Sequence, residues 1–390
     1  DTSTDLSTIL GSANKTATIT TNMTFTGELN SIVTTISDGV TVSTAANVVV
    51  GETINKVSTG VLNVTVADSA GQKDADLGTI SGTALNSVLI TADQTFTGTL
   101  HSSVATTVDN GVTLTISAAK ANEKPIIEEG GENATVAITA LDATLASDLS
   151  AIVTNSVTAA YDNSGTFTGD FGSAVVTVNG GNTLTTTAAI ANGVTISDGS
   201  GSNVTAITAL DATLGADLST ITTDSVTAAF ENSGTFTGDI GTAVVSIASG
   251  KSMSAEGAII DGKTIDGAGV LHITGKGDAN LELANVSTSG TLDVDITDGD
   301  TTLSNVGVNV DASGSSSAIT INSSSLTLSH TGGSGSDILV YGGGSGTYTG
   351  TLSSIDVVSS ANNLSFTGSQ LSGQTIDFDG AGNITITSVN

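Results

Sequence analysis

Apolar residues fall at every second position over many short stretches of this chain, and Gly, Asn or Asp ends most stretches within a few residues. Ile36-Ser37-Asp38-Gly39-Val40-Thr41-Val42 and Val108-Asp109-Asn110-Gly111-Val112-Thr113-Leu114 are typical. A period of two puts alternate side chains on opposite faces of a strand, and Asp-Gly or Asn-Gly supplies a tight turn. The pattern predicts short, half-buried strands. One segment reads otherwise. Leu141, Leu145, Leu149 and Ile152, echoed by Leu210, Leu214, Leu218 and Ile221, recur at helical spacing, which predicts a short helix at each place.

The pattern itself repeats. Residues 137–178 and 206–247 are near-copies at an offset of 69, both carrying Ala-Leu-Asp-Ala-Thr-Leu and Thr-Phe-Thr-Gly-Asp. Asp-Leu-x-x-Ile occurs at Asp5–Ile9, Asp76–Ile80, Asp148–Ile152 and Asp217–Ile221, and Thr-Phe-Thr-Gly follows at Thr24–Gly27, Thr95–Gly98, Thr166–Gly169 and Thr235–Gly238. Four tandem repeats of about 70 residues therefore fill 1–70, 71–142, 143–211 and 212–275. From 276 to 390 that period stops, yet strand-like stretches continue, among them Thr291–Ile296, Ala318–Ile321 and Asn383–Ile386.

Stacked coils explain such a chain, because one coil cannot bury its apolar face alone and neighbours complete the core. The expected fold is all-β, a β-solenoid or parallel β-helix-like rod built from tandem repeats, with room for short helices. Its coils hold about 20 residues and stack at ~4.8 Å. The rival is a string of β-sandwich domains, which usually carry buried aromatics, and aromatics are 3% of this chain. Glu123–Glu132 holds the single proline, Pro125, and the densest acidic run, and reads as a hinge or loop, with a metal or partner site as the alternative.

Composition narrows the function. The formal charge is −30, from 38 Asp and Glu against eight lysines, with no arginine. Nucleic-acid binding needs clustered Lys and Arg to displace counterions, so that class of partner is excluded. With no cysteine there is no disulfide or thiolate site. No apolar run approaches the roughly 18 residues of a transmembrane segment, and Asp1-Thr2-Ser3-Thr4-Asp5 does not read as a signal peptide. His101, His272 and His330 fall in no triad or metal motif, so no enzyme is expected.

Oxygen-rich acidic turns suit Ca²⁺, a hard cation. Gly332-Gly333-Ser334-Gly335-Ser336-Asp337-Ile338-Leu339-Val340 matches the glycine-rich nonapeptide of calcium-binding β-rolls. Gly333 and Gly335 would expose carbonyls at the turn, Asp337 would supply a carboxylate, and Leu339 or Ile338 would face the core. The same run reads equally as a turn that binds nothing. A second acidic group is Asp293, Asp295, Asp298 and Asp300, the first two on one strand face. Asp198–Asn203 forms a similar, weaker turn.

These features together resemble the large S-layer and adhesin-like repeat proteins that Gram-negative bacteria secrete through type I systems, some with RTX nonapeptides. The resemblance rests on the Thr/Ala/Gly/Val/Asn-rich, cysteine-free composition, the degenerate repeats and Gly332–Val340. It implies an extracellular, cell-surface protein that assembles with itself into a coat or filament with Ca²⁺, and attachment to cell-surface polysaccharide. The alternative is an adhesin stalk that binds carbohydrate or a host surface. A single nonapeptide, where that family carries a tandem array, sets this chain apart.

Overall fold

The computed structural model describes residues 2–10, 13–131, 133–275 and 280–388. The chain divides into two compact units, Asp1–Leu184 with Val194–Asn203, and Thr185–Gly193 with Val204–Asn390. Each is a parallel β-solenoid. Counted over both, strands hold 42% of residues, helices 7%, and the turns number about 18. A string of sandwiches would need antiparallel sheets, whereas strands here pair in parallel with the strand one coil away.

Register follows the alternation that the sequence shows. In the first unit Val64 lies beside Val88, Val88 beside Thr106, Thr106 beside Ile126, and Ile126 beside Ile152. All five are buried. In the second unit Leu271, Leu292, Val310, His330 and Leu352 form a similar inward ladder. β-Branched and leucine side chains fill such ladders because they pack against their neighbours on a pleated face. Each fully buried one stabilises the fold by about 1.5–3 kcal/mol. Thr, Ser and Asn take the alternate, outward positions.

The Asp-Gly and Asn-Gly turns are corners between faces. Val33–Ile36 and Thr41–Ala45 belong to different sheets. Between them Val40 N–H donates to Ser37 O at 3.2 Å, and Gly39 has φ +67°. Asp38 reaches the next coil, accepting from Thr59 N–H at 3.0 Å and Thr59 Oγ1 at 2.7 Å.

The helices expected on the leucine spacing do not form. Leu141–Ala143 and Leu210–Ala212 are single 3₁₀ turns, entered from Ala140 and Ala209 in the left-handed region. Asp148 and Asp217 then accept from the backbone N–H and hydroxyl of Ser150 and Ser219. Such side-chain bonds compete with a helix, and Ile152 and Ile221 continue into strands. The leucines recur at helical spacing because successive corners of a coil each aim one side chain inward.

One-turn helices sit elsewhere, each directly after a strand: α1 (Ala46–Val49), α2 (Ala118–Ala121), α3 (Ala188–Ala191), α4 (Gly257–Ile260) and α5 (Gly368–Leu371). The Glu123–Glu132 loop is corrected only in its middle, since 123–125 and 129–131 are turn or irregular backbone. Ile126–Glu128 is a strand, with Ile126 fully buried. Pro125 stands just before it, and its carbonyl accepts from Thr106 N–H at 2.9 Å. A proline needs no donor of its own there. Glu132 lies outside the described residues.

The four Thr-Phe-Thr-Gly motifs share one geometry. Phe25, Phe96, Phe167 and Phe236 are buried. A Cβ on Gly27, Gly98, Gly169 or Gly238 would come within about 2 Å of a carbonyl oxygen of the preceding coil, so only glycine fits. Thr347-Tyr348-Thr349-Gly350 repeats the arrangement, with Tyr348 buried and Gly350 against Leu328 O. The second unit thus carries a fifth occurrence, closed by α5, where the sequence period had faded. The strands Met23–Phe25, Gln94–Phe96, Gly234–Thr235 and Gly346–Thr347 each stand first in their sheet, so the motif marks where a new sheet opens.

Candidate functional site

The glycine-rich run Gly332–Val340 occupies a defined place in that fifth occurrence. Ser329 N–H donates to Asn309 Oδ1 at 2.8 Å, as Asp148 N–H does to Asn122 Oδ1 at 2.7 Å. His330 N–H donates to Thr351 O, as Leu149 N–H does to Asp170 O. His330 therefore stands where the other repeats place Leu77, Leu149 and Leu218. Counting four back from Tyr341, the counterpart of Tyr161 and Phe230, puts Asp337 where Val157 and Val226 fill the core, one residue having been lost between His330 and that strand.

Asp337 is fully buried. Its Oδ1 accepts from Ile319 N–H at 2.7 Å and its Oδ2 from Gly333 N–H at 2.6 Å. Its own N–H donates to Asp356 Oδ2 at 2.7 Å. Burial pushes the Asp337 carboxyl up, the two amide donors pull it down, and the Asp356 charge adds to the rise; the net direction is upward. Gly333 is where coils touch, because a Cβ there would meet Ser315 O at 2.1 Å. Gly335 meets Ser317 O at 2.4 Å in the same way. Leu339 is the core residue of the strand Ile338–Tyr341, while Ile338 is half-buried.

His330 is 1% exposed, and neither ring nitrogen has a hydrogen-bond partner. Burial alone pushes its imidazole down to about 4. His101 is a loop brace, its Nδ1 accepting from Ser103 N–H at 3.2 Å and Val104 N–H at 3.1 Å.

The second acidic group opens outward. Asp293 and Asp295 flank the buried Val294, so both lie on the outer face as the period of two requires. Asp298 and Asp300 are exposed, and Asp300 Oδ1 accepts from Ala318 N–H at 3.2 Å. Among the described residues no three His, Cys, Asp or Glu side chains converge as a metal-holding group. The Asp198–Asn203 turn is filled from within. Asn203 Nδ2 donates to Asp198 Oδ1 at 2.9 Å, Gly201 O at 3.1 Å and Ser200 O at 3.3 Å. That amide takes the oxygens a cation would need.

Coil stacking also assembles a row that is invisible along the chain. Ser254, His272 and Asp293 lie side by side on three successive coils. Ser254 Oγ is 3.4 Å from His272 Nδ1, and His272 Nε2 is 3.7 Å from Asp293 Oδ2. The order is that of a nucleophile, base and orienting acid. The second distance is too long for a hydrogen bond, and the row lies on an open sheet face. Asp293 in turn neighbours Asp311. Asp148 and Asp170, and Asp217 and Asp239, are likewise bridged in parallel across adjacent coils, with Lys263 Nζ 3.8 Å from Asp239 Oδ1.

Fold and surface together define a parallel β-solenoid with acidic side chains in register between coils. Comparison with protein-family models, curated proteins and solved structures returns no match for this chain. Among the described residues no helix is long and apolar enough to cross a membrane.

Proposed function

We propose that this chain is a structural protein of the cell exterior, assembling with copies of itself into a coat or filament of the S-layer type, with Ca²⁺ assisting. The observation that carries the reading is the stacking of like charges. Asp148 and Asp170, Asp217 and Asp239, and Asp293 and Asp311 hold matching backbone positions on neighbouring coils, and Lys263 Nζ stands 3.8 Å from Asp239 Oδ1. Carboxylates directly opposite one another repel, and a chain of charge −30 also repels its own copies. Divalent cations held between such rows relieve both repulsions, so stability and association rise together. The outward-facing Asp293–Asp300 group is the next place where calcium would gather, whereas the Asp337 oxygens are taken by two amides, and attachment runs through cell-surface polysaccharide.

Electron microscopy across a calcium series tests this. Sheets or fibres are expected in millimolar Ca²⁺ and dispersed particles in chelator. A chain that stays monomeric throughout overturns the reading. Binding to a glycan or cell panel by that monomer would replace it with the adhesin stalk.

A further inference from the structure

Asparagine followed by glycine occurs three times in this chain, at Asn110-Gly111, Asn179-Gly180 and Asn192-Gly193. Such a step cyclises when the backbone nitrogen of the glycine attacks the asparagine Cγ, and a glycine, lacking Cβ, leaves that approach open. A folded chain opposes the attack by holding the side-chain amide, the glycine N–H, or both in hydrogen bonds. The sequence treats the three steps alike, and the fold does not.

At Asn192 both groups are held. Its Oδ1 accepts from Asp217 N–H at 2.8 Å, and Gly193 N–H donates to Asp217 O at 2.9 Å. Asn179 is held in the same double way. Its Nδ2 donates to Asp162 Oδ1 at 2.9 Å, and Gly180 N–H donates to Ser200 O. At Asn110 neither group is held: among the described residues its side-chain amide and the Gly111 N–H have no hydrogen-bond partner. The bonds of this corner run instead from Asn110 N–H to Asp109 Oδ1 at 2.8 Å and from Val112 N–H to Asp109 O at 3.1 Å. Asn110 and Gly111 are exposed, Gly111 has φ +74°, and nothing lies within 4 Å of where its Cβ would stand. Exposure alone does not separate the sites, since Asn192 is exposed too.

The first repeat shows why this corner is loose. Asp38-Gly39 takes the place of Asn110-Gly111 there. Asp38 accepts from Thr59 N–H and Oγ1, and Gly39 N–H donates to Thr59 Oγ1 at 3.0 Å. Val57 N–H donates to Ile36 O, and Glu129 N–H to Val108 O. Counting two residues on from Val57 and Glu129 puts Gly131 where Thr59 stands, so the second repeat has no hydroxyl at that position.

We infer that Asn110 is a site of spontaneous deamidation, singled out by the fold among the three Asn-Gly steps. The Gly111 nitrogen bonds to Asn110 Cγ and gives up its proton, the Cγ–Nδ2 bond breaks, and ammonia leaves. Water then opens the cyclic imide at one carbonyl or the other, leaving aspartate or isoaspartate at position 110. Water is the only co-reactant. Either product adds a negative charge beside Asp109 and gives this corner the carboxylate that Asp38 already supplies in the first repeat. The isoaspartate also carries the backbone through the side-chain carbon, which lengthens the corner between the buried Val108 and Val112.

Ageing the 390-residue chain in mildly alkaline buffer, followed by peptide mapping with fragmentation mass spectrometry, tests this. Conversion at Asn110 should run about tenfold or more ahead of Asn179 and Asn192, because each of those must first break two hydrogen bonds. In urea, where those bonds are gone, the three rates should converge. Asn110→Gln, with its melting profile unchanged, should lose the early event. Isoaspartyl methyltransferase should then label the aged parent well ahead of the aged variant. Rates that already coincide in the folded chain overturn the inference, as does earlier conversion at Asn179 or Asn192. A lead at Asn110 that persists in urea would assign it to local sequence and overturn the account from the fold. Equal labelling of parent and Asn110→Gln would place the reaction elsewhere.

Discussion

His330 replaces a leucine in an apolar ladder and Asp337 a valine in the core, yet their surroundings treat them differently. Asp337 finds two backbone donors, and His330 finds none. A buried imidazole without partners is held neutral, so its folded value of about 4 lies below the ordinary 6.5. Above 6.5 neither folded nor unfolded chain is protonated there, and the full stability is present. As pH falls from 6.5 toward 4 only the unfolded chain takes the proton, and stability drops by up to about 3 kcal/mol. His330→Leu should remove that loss. Its melting temperature should exceed the parent's at pH 5 by several degrees, with a smaller difference at pH 8. Equal acid sensitivity in both proteins would refute this account. Asn203, fully buried, also accepts from Gly181 N–H and Asn182 N–H. Asn203→Ala orphans several groups, so denaturant unfolding should show a loss of about 2–4 kcal/mol.

At the scale of elements, the Thr-Phe-Thr-Gly strand and the one-turn helix after each repeat's longer strand are what recur. The glycine was legible as part of a motif, but its reason is contact between coils. Gly238→Ala puts a methyl 2.0 Å from Ala216 O, and backbone must move to admit it. The expected cost is roughly 3 kcal/mol or more, read from the urea midpoint. Gly307→Ala, with nothing within 4 Å of the new atom, should stay within about 0.5 kcal/mol of the parent. The helices α1 to α5 escaped sequence reading because four residues carry no period of their own. The leucine spacing misled for a related reason, since inward corners of a coil imitate one face of a helix.

Over the whole molecule, charge sets the conditions. A net −30 on 390 residues makes the folded chain more repulsive than its composition of Thr, Ser and Ala suggests. Salt relieves this by screening, and calcium should do more if carboxylates on adjacent coils share it. Thermal melts in CaCl₂ and NaCl at matched ionic strength separate the two. A higher melting temperature in calcium is expected, and coincident curves would reduce the effect to screening.

Alternation, turn residues and repetition determined by themselves that this chain is all-β and repetitive, and they pointed to a solenoid. Those signals are local, and each coil resembles the next. Parallel pairing one coil apart then excluded the rival string of sandwiches. The repeated Phe25, Phe96, Phe167 and Phe236 read as core residues and are buried. Only the tertiary structure decided which residues meet, because every pairing links positions about twenty apart through backbone that carries no signal of its partner. It placed Ser254 beside His272 and Asp293, turned Asp337 inward onto two amides, and carried the repeat geometry on to Gly350 and α5. In a solenoid the face a residue occupies is written in its own sequence, while its neighbours are set by coil length, and coil length is decided by packing.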